Sequence, residues 1–596
     1  EAVYFITLYH IFEAYLGELT EETIIKTRTG IKESLVWNKL YKFQRDGVMG
    51  AIDKIEKYGG CIIADSVGLG KTFTALAIIK YYELRNDRVL VLAPKKLREN
   101  WTIYTQNDKR NIFVADRFNY DVLNHTDLSR YKGMSGAINL STLNWENYDL
   151  IVIDESHNFR NNIPHNDRKT RYERLMEDII KAGVRTKVLM LSATPVNNRM
   201  NDIKNQIAFI TEGRNDALKK AGIPSIEFTL RKAQLVFNKW SELPEQERTT
   251  KRFVEMMDLD YFKLLDTLTI ARSRKHIEKY YNIAEIGRFP TRLKPINECA
   301  EIDTMGEFPP IGEVNKMIRR LTLGLYAPLR YIRPEKRRAY ENRYDRSVAG
   351  GKSVFRQSDR ENQLVQLMRV NLLKRMESSI HSFALTVEKI ARRIADTLAV
   401  IECHEGEYHA ELNIEELDFD EEGLDTQDLV FGSKIKVLLQ DMDLIKWRQD
   451  LEQDAEELAE ILKSAKVITP QRDNKLQTLK NRIARKVENP INPGNGKIII
   501  FTAFADTAEY LYKNIAPDME RSGIYTALVT GGSESNKSTL PIPAALRRSI
   551  RLSDLNTVLT LFSPASKEGK NIFPDMQEEI DILIATDCIS EGQNLQ

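Results

Sequence analysis

An excess of charge of one sign is absent from this 596-residue chain: 87 Lys and Arg stand against 86 Asp and Glu, a formal net charge of +1. No global field draws it to a polyanion, so any nucleic-acid surface has to be a local patch. Cysteine is scarce. Cys61, Cys299, Cys403 and Cys588 are scattered without paired metal-type spacing, which fits free buried thiols in a reducing cytosol better than a disulfide framework, so a cytoplasmic location is expected. Cys403-His404 with His409 offers three ligand types in an acidic stretch without a fourth, an incidental grouping rather than a metal site. No run of about eighteen apolar residues occurs, so neither a transmembrane helix nor a membrane partner is expected. No initiator Met or basic-then-apolar leader opens the chain, which is expected to begin inside a longer protein. No period of about twenty to fifty residues marks a solenoid.

What is present is an ordinary globular composition, 42% hydrophobic and 29% charged, too rich in apolar residues for a disordered chain. At about 150 residues per domain it suggests three to five units. Residues 1–35 hold an apolar stretch, Val3 to Leu16, that reads as a helical extension. Over residues 36–225 short apolar runs (Gly60–Ala64, Val89–Ala93, Leu150–Ile153, Val188–Leu191) alternate with helical stretches such as Thr72–Glu83. Strands apolar throughout, separated by helices, predict a parallel sheet covered on both faces. Residues 226–487 read as a mostly helical accessory region, with Leu364–Leu385, Thr386–Ile401 and Leu439–Ala465 as its longest helices and Glu402–Asp428 as an acidic loop. A turn-rich linker, Asn489–Gly494, leads into a second α/β signal over residues 488–596: Lys497–Phe501, the helix Ala505–Lys513, Ala527–Thr530 and Ile580–Thr586. The expected fold is therefore α/β, two lobes of parallel sheet with a large helical insertion between them.

The segment Cys61–Thr72 is an apolar strand, a glycine-bearing loop and a helix start. Backbone N–H groups and the positive end of the helix dipole converge there on a phosphate. Gly68 and Gly70 let the backbone approach closely, Lys71 can reach the β/γ oxygens, and Thr72 can ligate Mg²⁺. The full phosphate-loop pattern asks for glycine at position 65, where this chain has Asp65; a plain strand-to-helix turn is the competing interpretation. The run Leu150–Ile153 ends in Asp154-Glu155-Ser156-His157. Asp154 at a parallel strand end suits a second Mg²⁺ contact, and Glu155 can polarise the attacking water, against the alternative of an acidic helix cap.

The ordered set Phe43-Gln44, Asp65–Thr72, Val91–Lys95, Asp154–His157 and Ser192-Ala193-Thr194-Pro195 resembles the superfamily-two helicase motors, and more closely the Swi/Snf-type DNA translocases. Leu40–Val48 is similar to the family's leading glutamine motif, which implies that Gln44 reads the adenine edge. The resemblance also extends the nucleotide set to Asp65, Ser66, Val67, Gly68, Leu69, Gly70, Lys71 and Thr72, although Ser66 stands where an acidic residue is usual. Leu90–Pro94 with Trp101, and Ile270–His276, look like its next motif and its basic segment closing the first lobe. Lys497–Phe504, Ile582–Asp587 and Glu591–Gln596 look like second-lobe motifs. Together they cover roughly half the chain. The likeness implies RecA-like lobes, ATP and Mg²⁺ as cofactors, Lys71, Asp154 and Glu155 as catalytic residues, and Thr72 and Asp154 as metal ligands. It implies a nucleic-acid track lined by Pro94, Lys95, Ser192, Thr194, Thr502, Thr586 and Gly592. It places arginines of the γ-phosphate site after Gln596, so a continuing chain is expected.

Function is expected to be ATP-driven translocation on double-stranded DNA, remodelling or displacing a DNA-bound protein complex. A strand-separating DNA or RNA helicase is the alternative within enzymes, and a nucleotide-gated binding module without turnover is the one outside them. The basic cluster Arg319, Arg320, Arg330, Arg333, Lys336, Arg337, Arg338, Arg343, Arg346 and Lys352, interleaved with Tyr326, Tyr331, Tyr340 and Tyr344, is either a duplex grip with stacking tyrosines or a solvated helical face. Arg547, Arg548 and Arg551 divide the same way. Oligomeric state is not written in the sequence.

Overall fold

The structure is a computed structural model. It describes residues 30–160, 169–182, 184–193, 195, 200–282, 286–287, 289, 293–344, 346–348, 353–355, 357–403, 411–413, 436–492, 494–531, 536–547, 550–567, 569–586 and 589. Val3–Leu16, Thr194, Lys352, His404, His409, most of Glu402–Asp428, Arg548 and Glu591–Gln596, Gly592 included, lie outside the described residues. The chain divides into two compact units, Glu1–Leu293 and Lys294–Gln596.

Six strands build the sheet of the first unit: β1 (Gly60–Ile63), β2 (Val89–Ala93), β3 (Asp121–Asn124), β4 (Leu150–Ile153), β5 (Lys187–Leu191) and β6 (Thr269–Ile270), in the order β3-β2-β4-β5-β1-β6. Every pairing is parallel. Alternate residues feed two separate cores. Ile62, Leu90, Leu92, Ile151, Ile153, Val188 and Met190 face one side; Cys61, Ile63, Val91, Leu150, Val152, Leu189 and Leu191 face the other. That is why these strands are apolar at every position: a parallel sheet has no wet face. Helices α1 (Lys42–Tyr58), α2 (Lys71–Glu83), α3 (Arg98–Thr102), α4 (Lys204–Thr211), α5 (Ile226–Ser241) and α6 (Leu259–Leu268) supply the covering. In α2 the stretch Ala75–Ile79 is buried at every position, as befits a helix enclosed on all sides. β6 lies beyond residue 225, inside the segment that the sequence pattern assigns to the helical region. Two residues long, it has no periodicity of its own and exists by pairing with Ile62 and Ile63.

The second unit has two cores of different kinds. Helices α7 (Gln357–Ser378), α8 (Ile380–Cys403) and α9 (Leu444–Lys466) pack Val365, Met368, Leu372, Phe383, Val387, Ile394, Trp447, Leu451 and Leu458 into one all-helical cluster. The expected helix Leu364–Leu385 is broken at Ser379, whose hydroxyl accepts the His381 N–H at 3.2 Å, the behaviour of a serine at a helix start. Helices α10 (Asn474–Glu488) and α11 (Ala505–Glu520) cover one face of a smaller sheet of β7 (Ile498–Phe501), β8 (Thr526–Val529), β9 (Lys537–Ser538) and β10 (Ile582–Ala585), ordered β7-β10-β8-β9. β7, β10 and β8 are parallel, and β9 is antiparallel to β8. The other face packs against Val558, Leu559 and Phe562. The architecture is α/β with two RecA-like lobes and a helical region.

Candidate active site

The phosphate loop sits where β1 runs into α2. Gly68 (φ 83°) and Gly70 (φ 76°) take left-handed backbone that a side chain resists. Gly70 caps α2 without a side-chain acceptor, which leaves the first-turn N–H groups of that helix aimed at the loop. Lys71 Nζ donates to the Asp65 carbonyl at 3.1 Å. Gln44 is buried, and one amide serves two ends: Oε1 accepts from Tyr41 N at 2.9 Å, completing the start of α1, and Nε2 donates to the Leu69 carbonyl at 3.0 Å. The glutamine motif and the phosphate loop are thus physically tied. A Cβ on Gly70 would come within 2.3 Å of Gln44 Nε2. Gly70→Ala, strained at positive φ by about 1–2 kcal/mol and pushing Gln44 off the loop, is expected to weaken binding of a fluorescent ATP analogue by about tenfold, read by anisotropy.

Asp65 is a structural residue by its side chain. Its carboxylate is turned into the lobe against Arg272, with Nε donating to Oδ1 at 2.9 Å and a second contact from Nη2 to Oδ2. Both side chains are fully buried. Arg272 also donates through Nη1 to the Phe43 carbonyl, and its guanidinium lies 5.2 Å from the Phe43 ring. Only the Asp65 carbonyl faces Lys71. The carboxylate where the phosphate-loop pattern wants glycine serves Arg272 and not the phosphate side. Among the other loop residues, Val67 and Gly68 are exposed, Ser66 and Thr72 half-buried, and Leu69 buried.

At the end of β4 the two carboxylates are nearly buried. Asp154 Oδ1 accepts the Glu155 N–H at 3.0 Å and Oδ2 accepts the Trp101 indole N–H at 2.9 Å. Burial, then the charge of Glu155, push the Asp154 carboxyl up to about 6, while those two donors and the nearby Lys71 charge oppose the rise. Such a carboxylate is an anion short of a cation, and the donor set fits Mg²⁺. Among the described residues no three His, Cys, Asp or Glu are grouped to hold a metal; substrate oxygens and water would complete the shell of an ion held here. Glu155 sits in left-handed backbone (φ 46°, ψ 53°), a strained conformation for a non-glycine residue of the kind found at functional sites.

Two links run from this strand end to the Ser192–Pro195 segment. His157 Nδ1 lies 3.3 Å from Glu155 Oε2 and 3.4 Å from Ser192 Oγ. Ser156 Oγ donates to Gln206 Oε1 at 2.8 Å, and Gln206 Nε2 donates to the Pro195 carbonyl at 2.8 Å. Gln206, fully buried on α4, escapes sequence reading because its partners are 50 and 11 residues away. Pro94 is half-buried, and Lys95 is exposed just past β2. In the second unit Thr502 N donates to the Ala585 carbonyl at 3.0 Å and Thr586 N to the Val529 carbonyl at 3.2 Å, so both stand at strand ends of one sheet. Tyr326, Tyr331 and Tyr340 are buried, Tyr331 donating to Asp450 and Tyr340 to Asp441; they are core residues and do not stack on a strand. Arg319, Arg320, Arg330, Arg333, Lys336, Arg337 and Arg338 are exposed.

A parallel sheet that presents a glycine loop, a lysine and two carboxylates at its strand ends defines a phosphate-loop nucleotide-binding lobe. Residues 37–197 match the ResIII family model, "Type III restriction enzyme, res subunit". The chain is 28% identical over 169 residues to "Uncharacterized ATP-dependent helicase YqhH" of Bacillus subtilis (27% of this chain, 28% of that protein). It is 27% identical over 188 residues to "DNA annealing helicase and endonuclease ZRANB3" of Mus musculus (28% and 16%). It is 27% identical over 222 residues to "SWI/SNF-related matrix-associated actin-dependent regulator of chromatin subfamily A-like protein 1" of Xenopus tropicalis (34% and 21%). The chain thus spans under a third of the length of each of these relatives. A solved structure, "Sulfolobus solfataricus SWI2/SNF2 ATPase core in complex with dsDNA", aligns over 92% of this chain and 78% of its own at 13% identity and superposes at a TM-score of 0.28. The family match and the relatives support a superfamily-two, Swi/Snf-type helicase-related ATPase. No helix among the described residues is long and apolar enough to cross a membrane.

Proposed function

We propose that this chain hydrolyses Mg·ATP to drive movement along double-stranded DNA, displacing or remodelling what is bound there. The observation that carries the reading is the double link from Glu155 and Ser156 to the buried Ser192 and Pro195, because a nucleotide site tied to a second segment of its lobe is what a motor needs and a storage site does not. The domain limits expected from the sequence, an extension to residue 35, a first lobe to 225, a helical region to 487 and a second lobe beyond, are offered as its working parts.

In this mechanism Gln44 reads the adenine edge, and the N–H groups of Ser66–Thr72 with the Lys71 ammonium hold the phosphates. Thr72 and Asp154 would hold Mg²⁺, which when bound neutralises charge on the β and γ oxygens. Glu155 takes a proton from water as the water oxygen bonds to the γ-phosphorus; the β–γ bridge bond breaks and its electron pair leaves on ADP. Strand contacts are assigned within each unit by itself: Pro94, Lys95, Ser192 and Thr194 in the first, and Thr502, Thr586 and Gly592 in the second. Hydroxyl and backbone contacts to phosphates carry little sequence information, so binding is sequence-tolerant and salt-sensitive.

The test compares ATP turnover with duplex DNA, single-stranded DNA and RNA, alongside a strand-displacement assay. Stimulation by duplex of about tenfold or more without unwinding is expected; robust unwinding would replace the translocase by the strand-separating helicase. Turnover indifferent to every nucleic acid would remove the motor.

A further inference from the structure

Trp101 has no part in the chemistry above, yet with Trp447 it is one of the two largest fully buried side chains of the described residues. Its single polar atom is spent on Asp154 Oδ2. The Glu155 N–H occupies the other oxygen. A carboxylate with one donor on each oxygen has its plane fixed, with one lone-pair direction per oxygen left for a cation. The indole is itself immobilised. Tyr120 stands edge-on to it, ring centres 6.4 Å apart at 80°, and Tyr120 Oη donates to the Trp101 carbonyl at 2.7 Å.

The helix that carries the indole starts directly after the turn Lys95–Leu97, where Lys95 and Lys96 are exposed. Its first residue, Arg98, donates to the Ser135 carbonyl at 2.9 Å and lies 3.8 Å from the buried carboxylate of Asp127. The stretch from Pro94 to Thr102 is therefore a short stiff lever with a cationic surface at one end and the Asp154 hydrogen bond at the other. We infer that Trp101 is a positioning residue that sets the cation-facing orientation of Asp154 and carries nucleic-acid occupancy of Pro94, Lys95 and Lys96 to that ligand. The inference rests on the ATPase reading and adds the physical route of stimulation.

Trp101→Phe keeps the buried ring and deletes only the N–H. Outer-shell partners of a metal ligand are typically worth about 10–100-fold in affinity. Manganese binding to the full chain with a non-hydrolysable ATP analogue, followed by electron paramagnetic resonance, is expected to weaken by at least about tenfold. Analogue binding in EDTA is expected to stay within about twofold, because no nucleotide contact is lost. The ratio of turnover with and without duplex DNA falls toward one. Adding Trp101→Phe to Asp154→Asn produces no further loss of manganese, since the two act in series. If Trp101→Phe lowers the melting midpoint steeply, Tyr120→Phe, which frees the Trp101 carbonyl, takes its place and is expected to lower both manganese affinity and the stimulation ratio in the same direction. Unchanged manganese affinity and stimulation in whichever variant folds would overturn the inference. Failure of the ATPase reading looks different: the unsubstituted chain then shows no metal-dependent analogue binding at all.

Discussion

Glu155→Gln is expected to lower ATP turnover by roughly 10²–10⁴-fold while ATP binding, measured by calorimetry, stays within a fewfold of the unsubstituted protein. The amide is isosteric with the carboxylate and cannot take the proton of the attacking water. Its neighbours stay in place: Asp154 keeps the Glu155 backbone N–H and the Trp101 indole on its two oxygens, and the phosphate loop is untouched. The strained backbone at Glu155 (φ 46°) points the same way, since the fold holds one acidic residue in a conformation that costs on the order of 1–3 kcal/mol. Equal losses of binding and turnover would mean that the carboxylate is a structural cap and not the base.

Arg272→Met is expected to cost the largest stability of any substitution in the first unit, about 3–5 kcal/mol, because it strands the Asp65 carboxylate in a fully buried position. Two elements lose their common side-chain partner at once, while the backbone bond from Ser66 to position 272 survives the substitution. Arg272 holds the loop through Asp65 and helix α1 through the Phe43 carbonyl, and its own carbonyl accepts the Ser66 N–H at 3.0 Å. The packing is close enough that a Cβ on Gly47 would meet the guanidinium at 2.4 Å. Thermal melting of the variant falls by on the order of 10 °C, and a double variant that also changes Asp65 to Leu recovers a large part of the loss, since replacing a whole buried pair by apolar groups is far milder than breaking it. Arg272→Met with an unchanged midpoint would show that the pair adds nothing. The departure from the phosphate-loop pattern at position 65 then makes physical sense, as the side chain belongs to the scaffold.

The parts of the fold visible in the sequence are those whose signal is local. β2 and β4 coincide with the apolar runs Val89–Ala93 and Leu150–Ile153, and β1 and β5 differ from theirs by one residue at an end, because a strand buried on both faces must be apolar throughout. β3 reads Asp-Val-Leu-Asn and β6 only Thr-Ile; both are strands because neighbours pair with them, and neither has a pattern of its own. Helix α10 reads as part of the helical region, yet Leu476 and Ile483 pack on the second sheet, a fact of tertiary packing that periodicity does not carry. In the site, the loop and both carboxylates were legible as short contiguous motifs. The Trp101–Asp154 and Arg272–Asp65 bonds span 53 and 207 residues, so their residue types could be noticed but their roles could not. Of the basic cluster's tyrosines, Tyr326, Tyr331 and Tyr340 fall in the core, a choice the sequence left open because interleaving along the chain says nothing about which side of a helix is wet.

Lys71→Ala tests the central claim, that Gly68–Thr72 with Asp154 and Glu155 forms an ATP-hydrolysing site. Steady-state phosphate release by the full-length protein, with saturating duplex DNA, is the measurement. Loss of the lysine that reaches the β/γ oxygens is expected to bring turnover to the background of the assay while the melting midpoint stays near that of the unsubstituted protein. Turnover equal to the unsubstituted protein would contradict the account.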